Sequence, residues 1–378
     1  MDPKKKFHLF RTNKNFCVVP WTNFEVYTNG DIKTCSLGKK TLGNISDQPL
    51  DEILNGEPIK KIKENMLNNV PDKNCVNCQI RTIEEDNFKH LRNHYNSRLE
   101  QEDVNYEDIN NFDMRFIDLH WSNICNLRCV MCNPGQSSLI AKDEKVFVAP
   151  IQQERIDEII KVVTKNEDKI KEIYLSGGEP FYIPQNVKLL KALTNKEVPI
   201  RINTNMHWYK NNKLYEILKT FKNVQLTMSV DALYNKFNYI RTGANWETFI
   251  KNFKTVKEET QFEIRMNMIF SVINAIDVPK NIKYFYHDIG IKDITINLLE
   301  NPKEIAPMNY PENKKQFIIN ELQSVLKTIS IEHVNLLAQI KLCIANIKLP
   351  KKYNYEFRMS EITKRYDKPW REVHTDLI

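Results

Sequence analysis

The sequence predicts an α/β protein in which a parallel six-stranded sheet curves into a partial (β/α)6 barrel, with a small α+β module ahead of it. Three observations carry that expectation. Beyond Asp113, six β-favouring runs at 115–120, 172–175, 199–204, 224–230, 262–272 and 293–298 are each followed by a polar turn and a helical stretch. Such alternation specifies parallel pairing with right-handed crossovers, and six repeats are too few to close an eight-stranded barrel. The helical stretches are amphipathic: Ile156, Ile159, Ile160 and Val163 recur at helical spacing, as do Trp246, Phe249, Ile250, Phe253 and Val256. Ahead of Asp113 the pattern changes to a cysteine-bearing region in which Asn29-Gly30, between β-favouring flanks, marks a hairpin turn.

The expected organisation is an amino-terminal module over residues 1–98, a linker over 99–113, the barrel over 114–300 and a helical cap over 301–378. In the module, the hairpin delivers Cys35 from a strand facing Cys17, and a helix over 50–68 returns Cys75 and Cys78. The charged, Asn-rich stretch from Glu84 to Asp113 continues a solvated helix that carries Arg81, Arg92 and Arg98. In the cap, a helix near 313–329 precedes an aromatic and charged tail over 355–377. Cys343, between Leu342 and Ile344, has the setting of a buried apolar thiol.

Composition narrows the function classes. A net charge of +7 is a mild excess spread along the chain, without the concentrated basic stripe and stacking aromatics that nucleic-acid binding needs. Lys4-Lys5-Lys6 is a solvated run. No stretch of about 18 apolar residues suggests a membrane span, and no apolar segment follows the charged start, so a cytoplasmic protein is expected. In a reducing compartment, clustered cysteines bind metal or iron and sulfide, whereas disulfide frameworks belong to short secreted chains.

Cys125, Cys129 and Cys132 stand in Ser-Asn-Ile-Cys-Asn-Leu-Arg-Cys-Val-Met-Cys-Asn-Pro. That spacing folds three thiolates around one [4Fe–4S] cube and leaves the fourth iron open to an outside ligand, as an open zinc position admits water. Structural zinc is the rival, with His120 as a possible fourth ligand. Some 45 residues on, an apolar strand runs into Gly177-Gly178-Glu179-Pro180, where two glycines let a ligand approach the backbone and proline fixes the exit of the turn. Together these segments resemble the radical S-adenosylmethionine (SAM) enzymes.

The resemblance implies that SAM chelates the open iron and that Gly177, Gly178, Glu179 and Pro180 receive its amine. It implies further that Ser229 and Asp231 accept from the ribose hydroxyls, that Arg241 pairs with the SAM carboxylate, and that Thr204 and Asn205 reach the methionyl end. Two features depart from the family. Met131 replaces the aromatic residue often found before the third cysteine, and the fifth-strand adenine motif is not recognisable over 268–274.

Cys17, Cys35, Cys75 and Cys78 make a second complete ligand set. A cysteine, a gap and Gly30-x4-Cys35 resemble the opening of the twitch domain, a shortened relative of the SPASM auxiliary-cluster domain, although twitch modules usually follow the barrel. An auxiliary iron–sulfur cluster, of the [4Fe–4S] type, is implied; a four-thiolate zinc site also suits this set.

The implied activity is reductive cleavage of SAM to a 5′-deoxyadenosyl radical that abstracts hydrogen from a substrate carbon, with flavodoxin or ferredoxin as electron donor. A peptide or protein side chain is the expected substrate, with His207, Trp208, Arg265, Asn267 and Glu300 near the strand ends. The alternatives are a sugar, nucleotide or other small metabolite, and a catalytically silent redox or scaffold protein.

Overall fold

The structure, a computed structural model, describes residues 2–78, 91–209, 211–366 and 369–377. One mixed sheet organises it, in the order β3-β2-β1-β4-β5-β6-β7-β8-β9 with β1 Asn23–Val26, β2 Asp31–Lys33, β3 Gly43–Asn44, β4 Phe116–Leu119, β5 Glu172–Leu175, β6 Ile200–Thr204, β7 Val224–Ser229, β8 Glu263–Phe270 and β9 Ile294–Leu298. Strands β4 to β9 pair in parallel in chain order, the six strands expected of a (β/α)6 sheet. The amino-terminal hairpin does not stand apart from it. Strand β1 pairs in parallel with β4, and Asp113, Arg115 and His120 donate backbone hydrogen bonds to Trp21, Thr22 and Val26.

Alternation along the strands gives the sheet two unlike faces. Ile117, Leu119, Ile173, Leu175, Ile202, Leu226 and Met228 are buried on one of them. Right-handed crossovers put the connecting helices there, including Gln153–Lys165 and Trp246–Glu259, whose buried residues are mostly those of the expected stripes. The opposite face is polar: Glu25, Asp118, Tyr174, Arg201 and Gln225 lie at one register level across five strands.

Three local expectations change. The helix over 50–68 is two helices, Leu50–Leu54 and Glu57–Leu67, because Gly56 resists helical ordering and Pro58, without an N–H, suits the start of a new helix. Cys17 is not opposite a strand but just ahead of the short helix Val19–Thr22. The arginine-bearing helix is not solvated: in Leu91–Leu99, Tyr95 and Leu99 are buried, while Arg98 pairs with Glu172 at 2.9 Å and lies 4.6 Å over the Phe116 ring. It thereby covers the amino-terminal ends of β4 and β5. Arg81 and Glu84 lie outside the described residues.

At the far edge, the helix Val334–Ile347 covers β9, and Gln339 accepts the Ile296 N–H at 2.8 Å, which satisfies an edge group that would otherwise invite pairing. Cys343 is fully buried in this helix. The helix Glu312–Leu326 packs beside it. Among the described residues no helix is long and apolar enough to cross a membrane.

Candidate functional site

The loop after β4 carries the cysteine triad, and it is fastened on two sides. Gly178 N–H donates to Ser122 O at 3.0 Å and Glu179 N–H to Ile124 O at 2.8 Å, which ties it to the turn after β5. Arg128 and Val130 N–H donate to Thr242 and Ile240 carbonyls at 2.8 and 2.9 Å, which ties it to the segment after β7. Within it, Leu127 N–H points at Cys125 Sγ at 3.4 Å, and Ser137 Oγ donates to Leu127 O at 2.7 Å.

The three thiols share one small space. Burial and the neighbouring Cys129 charge push Cys125 up to about 12. Cys132 is raised well above a free thiol because it holds its proton in a hydrogen bond to Cys129, and that same bond lowers Cys129. Thiols that oppose one another's ionisation fit a multivalent centre, whose charge would let all three be thiolates. Met131 is buried beside them.

The glycines of the next turn answer a different need from the one expected. A Cβ on Gly178 would lie 2.1 Å from Ile124 O, and one on Gly177, whose φ is +110°, would lie 2.6 Å from Ser122 O. It is the cysteine loop's own backbone, rather than a ligand alone, that makes side chains impossible there. Pro180 opens the short turn Pro180–Tyr182. Glu179 points inward and is wholly buried. Its carboxyl accepts from Thr204 Oγ1 at 2.7 Å, Asn205 N at 2.7 Å and Phe181 N at 3.3 Å. Burial outweighs these donors and raises it to about 7. Thr204 and Asn205, expected at the methionyl end, donate to Glu179 in this structure.

Asp231 and Arg241, expected as separate contacts to ribose and carboxylate, face each other. Arg241 Nη2 lies 2.7 Å from Asp231 Oδ2, both side chains are buried, and Asp231 Oδ1 accepts the Ile269 N–H at 2.9 Å. The pair adjoins the triad, since the guanidinium charge acts on Cys125, Cys129 and Cys132. Buried Arg241 Nε has no hydrogen-bond partner among the described residues. Ser229, half-buried, ends β7 two residues before Asp231.

The residues expected along a substrate groove divide. His207 is buried, with its ring nitrogens 2.8 and 2.9 Å from the Asn205 and Asn245 carbonyls, and Trp208 stacks on Phe181 at 3.9 Å. Both are packing residues. Arg265 pairs with Glu263 and Asp293, while Asn267 accepts from Asn297 at 2.7 Å on the polar face. Glu300 is exposed beyond β9.

Cys17, Cys35, Cys75 and Cys78 line a single cavity, together with Thr34 and Arg92. Burial pushes Cys35 and Cys75 up to about 12, with added charge from Glu25 at Cys35 and from its fellow thiols at Cys75; burial likewise raises Cys17 well above a free thiol. Four converging thiols, each disfavouring the others' ionisation, fit a cluster or a metal ion.

Sequence reasoning missed the polar face beside these two sites. Glu25, Asp118, His120, Tyr174, Ser176 and Arg201 meet there across β1, β4, β5 and β6. The available signal was the alternation Asp118-x-His120 and Glu25-x-Tyr27, polar groups two apart in strands otherwise apolar.

Comparison with known proteins gives two family matches. Residues 119–274 match the radical SAM superfamily, and residues 17–79 match an iron–sulfur cluster-binding domain, SPASM. GTP 3′,8-cyclases of Listeria monocytogenes and Listeria welshimeri are 26% identical over 188 residues, 49% of this chain and 53% of each relative. The chain thus spans about half the length of the curated relatives it matches. Among solved structures, anSMEcpe with bound AdoMet and Cp18Cys peptide is 16% identical, with 55% of this chain and 58% of that one covered and a TM-score of 0.40. Streptococcus suis SuiB bound to precursor peptide SuiA is 15% identical, with 85% and 79% covered and a TM-score of 0.39.

Proposed function

We propose that this chain, a radical SAM superfamily protein with an amino-terminal iron–sulfur cluster-binding domain, is an enzyme that removes hydrogen from a carbon of its substrate. Its cofactors are SAM, a [4Fe–4S] cluster and an auxiliary iron–sulfur cluster. When bound, SAM and the first cluster supply reductive cleavage to methionine and a hydrogen-abstracting 5′-deoxyadenosyl radical, chemistry that belongs to the cofactors while the protein orients them.

The chain's own part follows from its residues. Cys125, Cys129 and Cys132 would hold three irons, and Cys17, Cys35, Cys75 and Cys78 the auxiliary cluster. The N–H groups of Gly178 and Glu179 are engaged by the cysteine loop, so an incoming amine, itself a donor, would meet the carbonyl side of the Gly177–Pro180 turn, with Glu179 behind it. Arg241 would balance the SAM carboxylate and Asp231 would hold Arg241; Ser229 remains the candidate for the ribose. On this reading residues 1–98 serve the auxiliary cluster, 99–113 link, 114–300 serve SAM and 301–378 form a cap, in a cytoplasmic protein reduced by flavodoxin or ferredoxin.

The observation that carries the reading is the triad loop fastened to the Gly-Gly-Glu turn, two motifs 45 residues apart held as one unit. The favoured substrate is a peptide or protein side chain, because the auxiliary-cysteine signature resembles that of peptide-modifying relatives. A nucleotide or another small metabolite is the second reading, favoured by the curated relatives named for GTP. Deuterium tracking tests both: a labelled candidate peptide is expected to pass deuterium into 5′-deoxyadenosine. Transfer only from a labelled small metabolite would overturn the peptide assignment, and no deoxyadenosine under dithionite would leave a silent scaffold.

A further inference from the structure

We propose that Glu25, Asp118 and His120 form a third metal site, distinct from both thiol sets, which takes a divalent cation of the Mn2+, Fe2+ or Zn2+ kind. One ligand atom from each side chain lies within 4.8 Å of the others. The arrangement comes from the sheet. Glu25 and Asp118 are register partners on the parallel strands β1 and β4, and His120, two residues beyond Asp118, emerges on the same face.

With no cation between them, these two close and buried carboxyls are each other's partners, Asp118 holding a proton toward Glu25. Glu25 is 1% and Asp118 6% exposed. Glu25 accepts from Tyr27 Oη at 2.7 Å and from the Ser36 backbone. Apart from that shared proton, the Asp118 carboxyl is met only by the charge of Arg201 as a favourable neighbour. Arg201 is engaged with Glu172 at 3.1 Å, and its buried Nε has no hydrogen-bond partner among the described residues. A buried carboxylate pair is costly unless a cation or a proton lies between its members.

The third group favours a cation. The His120 imidazole, beside two carboxyls on one face, completes a set of nitrogen and oxygen donors. Its ring is oriented: it stacks on Tyr27 at 5.3 Å and 10°, meets Tyr174 edge-on at 5.9 Å and bonds Ser176 Oγ. Metal-ligating histidines are fixed in this way by partners around them. Two carboxylates and one imidazole suit borderline and hard cations rather than thiophilic ones, and three protein ligands leave coordination positions open. Ser176 adjoins Gly177, so the cation would lie beside the turn assigned to SAM and offer a binding point for an oxygen-rich group, carboxylate or phosphate. The site stands whether or not the proposed substrate class is right.

Mn2+ is the probe, since it prefers oxygen and nitrogen and does not report vacant thiols. Cluster-loaded protein dialysed against Mn2+ is expected to retain about one Mn2+ per chain by elemental analysis, and Zn2+ is expected to compete for it. Asp118→Asn and His120→Gln should each weaken retention at least about 10-fold while iron content and the circular-dichroism spectrum stay at the parent level. No stoichiometric Mn2+ on the parent protein overturns the proposal and leaves the two carboxyls sharing a proton. Retention unchanged in both variants overturns it as well, because the ion would then sit elsewhere.

Discussion

Glu179 shows how one side chain couples folding, pH and ligand. Its pKa is raised from 4.5 to about 7 by burial, so the folded state keeps a proton that the unfolded chain has lost between those values. Its contribution to stability is therefore present below about 4.5 and is lost as pH rises through about 7. A bound amine that donates an N–H favours the carboxylate. The affinity for SAM is expected to rise with pH through about 7, and Glu179→Gln should flatten that rise and weaken binding about 10-fold, as calorimetric titrations between pH 6 and 8 would report; a flat parent profile would count against the assignment. Gly178 makes a steric point. Since backbone rather than a mobile side chain meets its missing Cβ, Gly178→Ala should displace the cysteine loop, cost on the order of 3 kcal/mol and lower the iron retained by the first cluster, measurable by thermal melts and iron assay.

At the scale of elements, the two thiol-bearing segments are held by separate contacts, and their roles should separate too. Cys129→Ala leaves two thiolates in the triad, so deoxyadenosine formation is expected to vanish. Cys78→Ala should spare SAM cleavage and abolish product. Equal loss of cleavage in both variants, with the first cluster loaded, would defeat that division of labour. The helix Leu91–Leu99 depends on Arg98, which is only partly exposed and contacts both a carboxylate and an aromatic face. Arg98→Ala should destabilise the protein by about 1–2 kcal/mol, read as a lowered melting temperature, with the lost packing contributing beside the lost charge.

For the molecule as a whole, seven cysteines in two separated sets predict about eight irons per chain after anaerobic reconstitution, four for each cubane. About four irons with one zinc would replace the auxiliary cluster by a zinc site. The six parallel strands and the amphipathic helices were legible in the sequence because each depends on local periodicity, and the triad because its ligands lie within eight residues of one another. The break at Gly56 and Pro58 was written there too, in residues that resist helical continuation. What only the tertiary structure decided are relations between distant segments: that β1 joins β4, that Asp231 faces Arg241, that Thr204 and Asn205 hold Glu179, and that Glu25 meets Asp118 and His120. A pattern of period two or 3.6 tells which face a residue occupies, but strand order and register choose what lies across from it, and buried charges take their character from that neighbour.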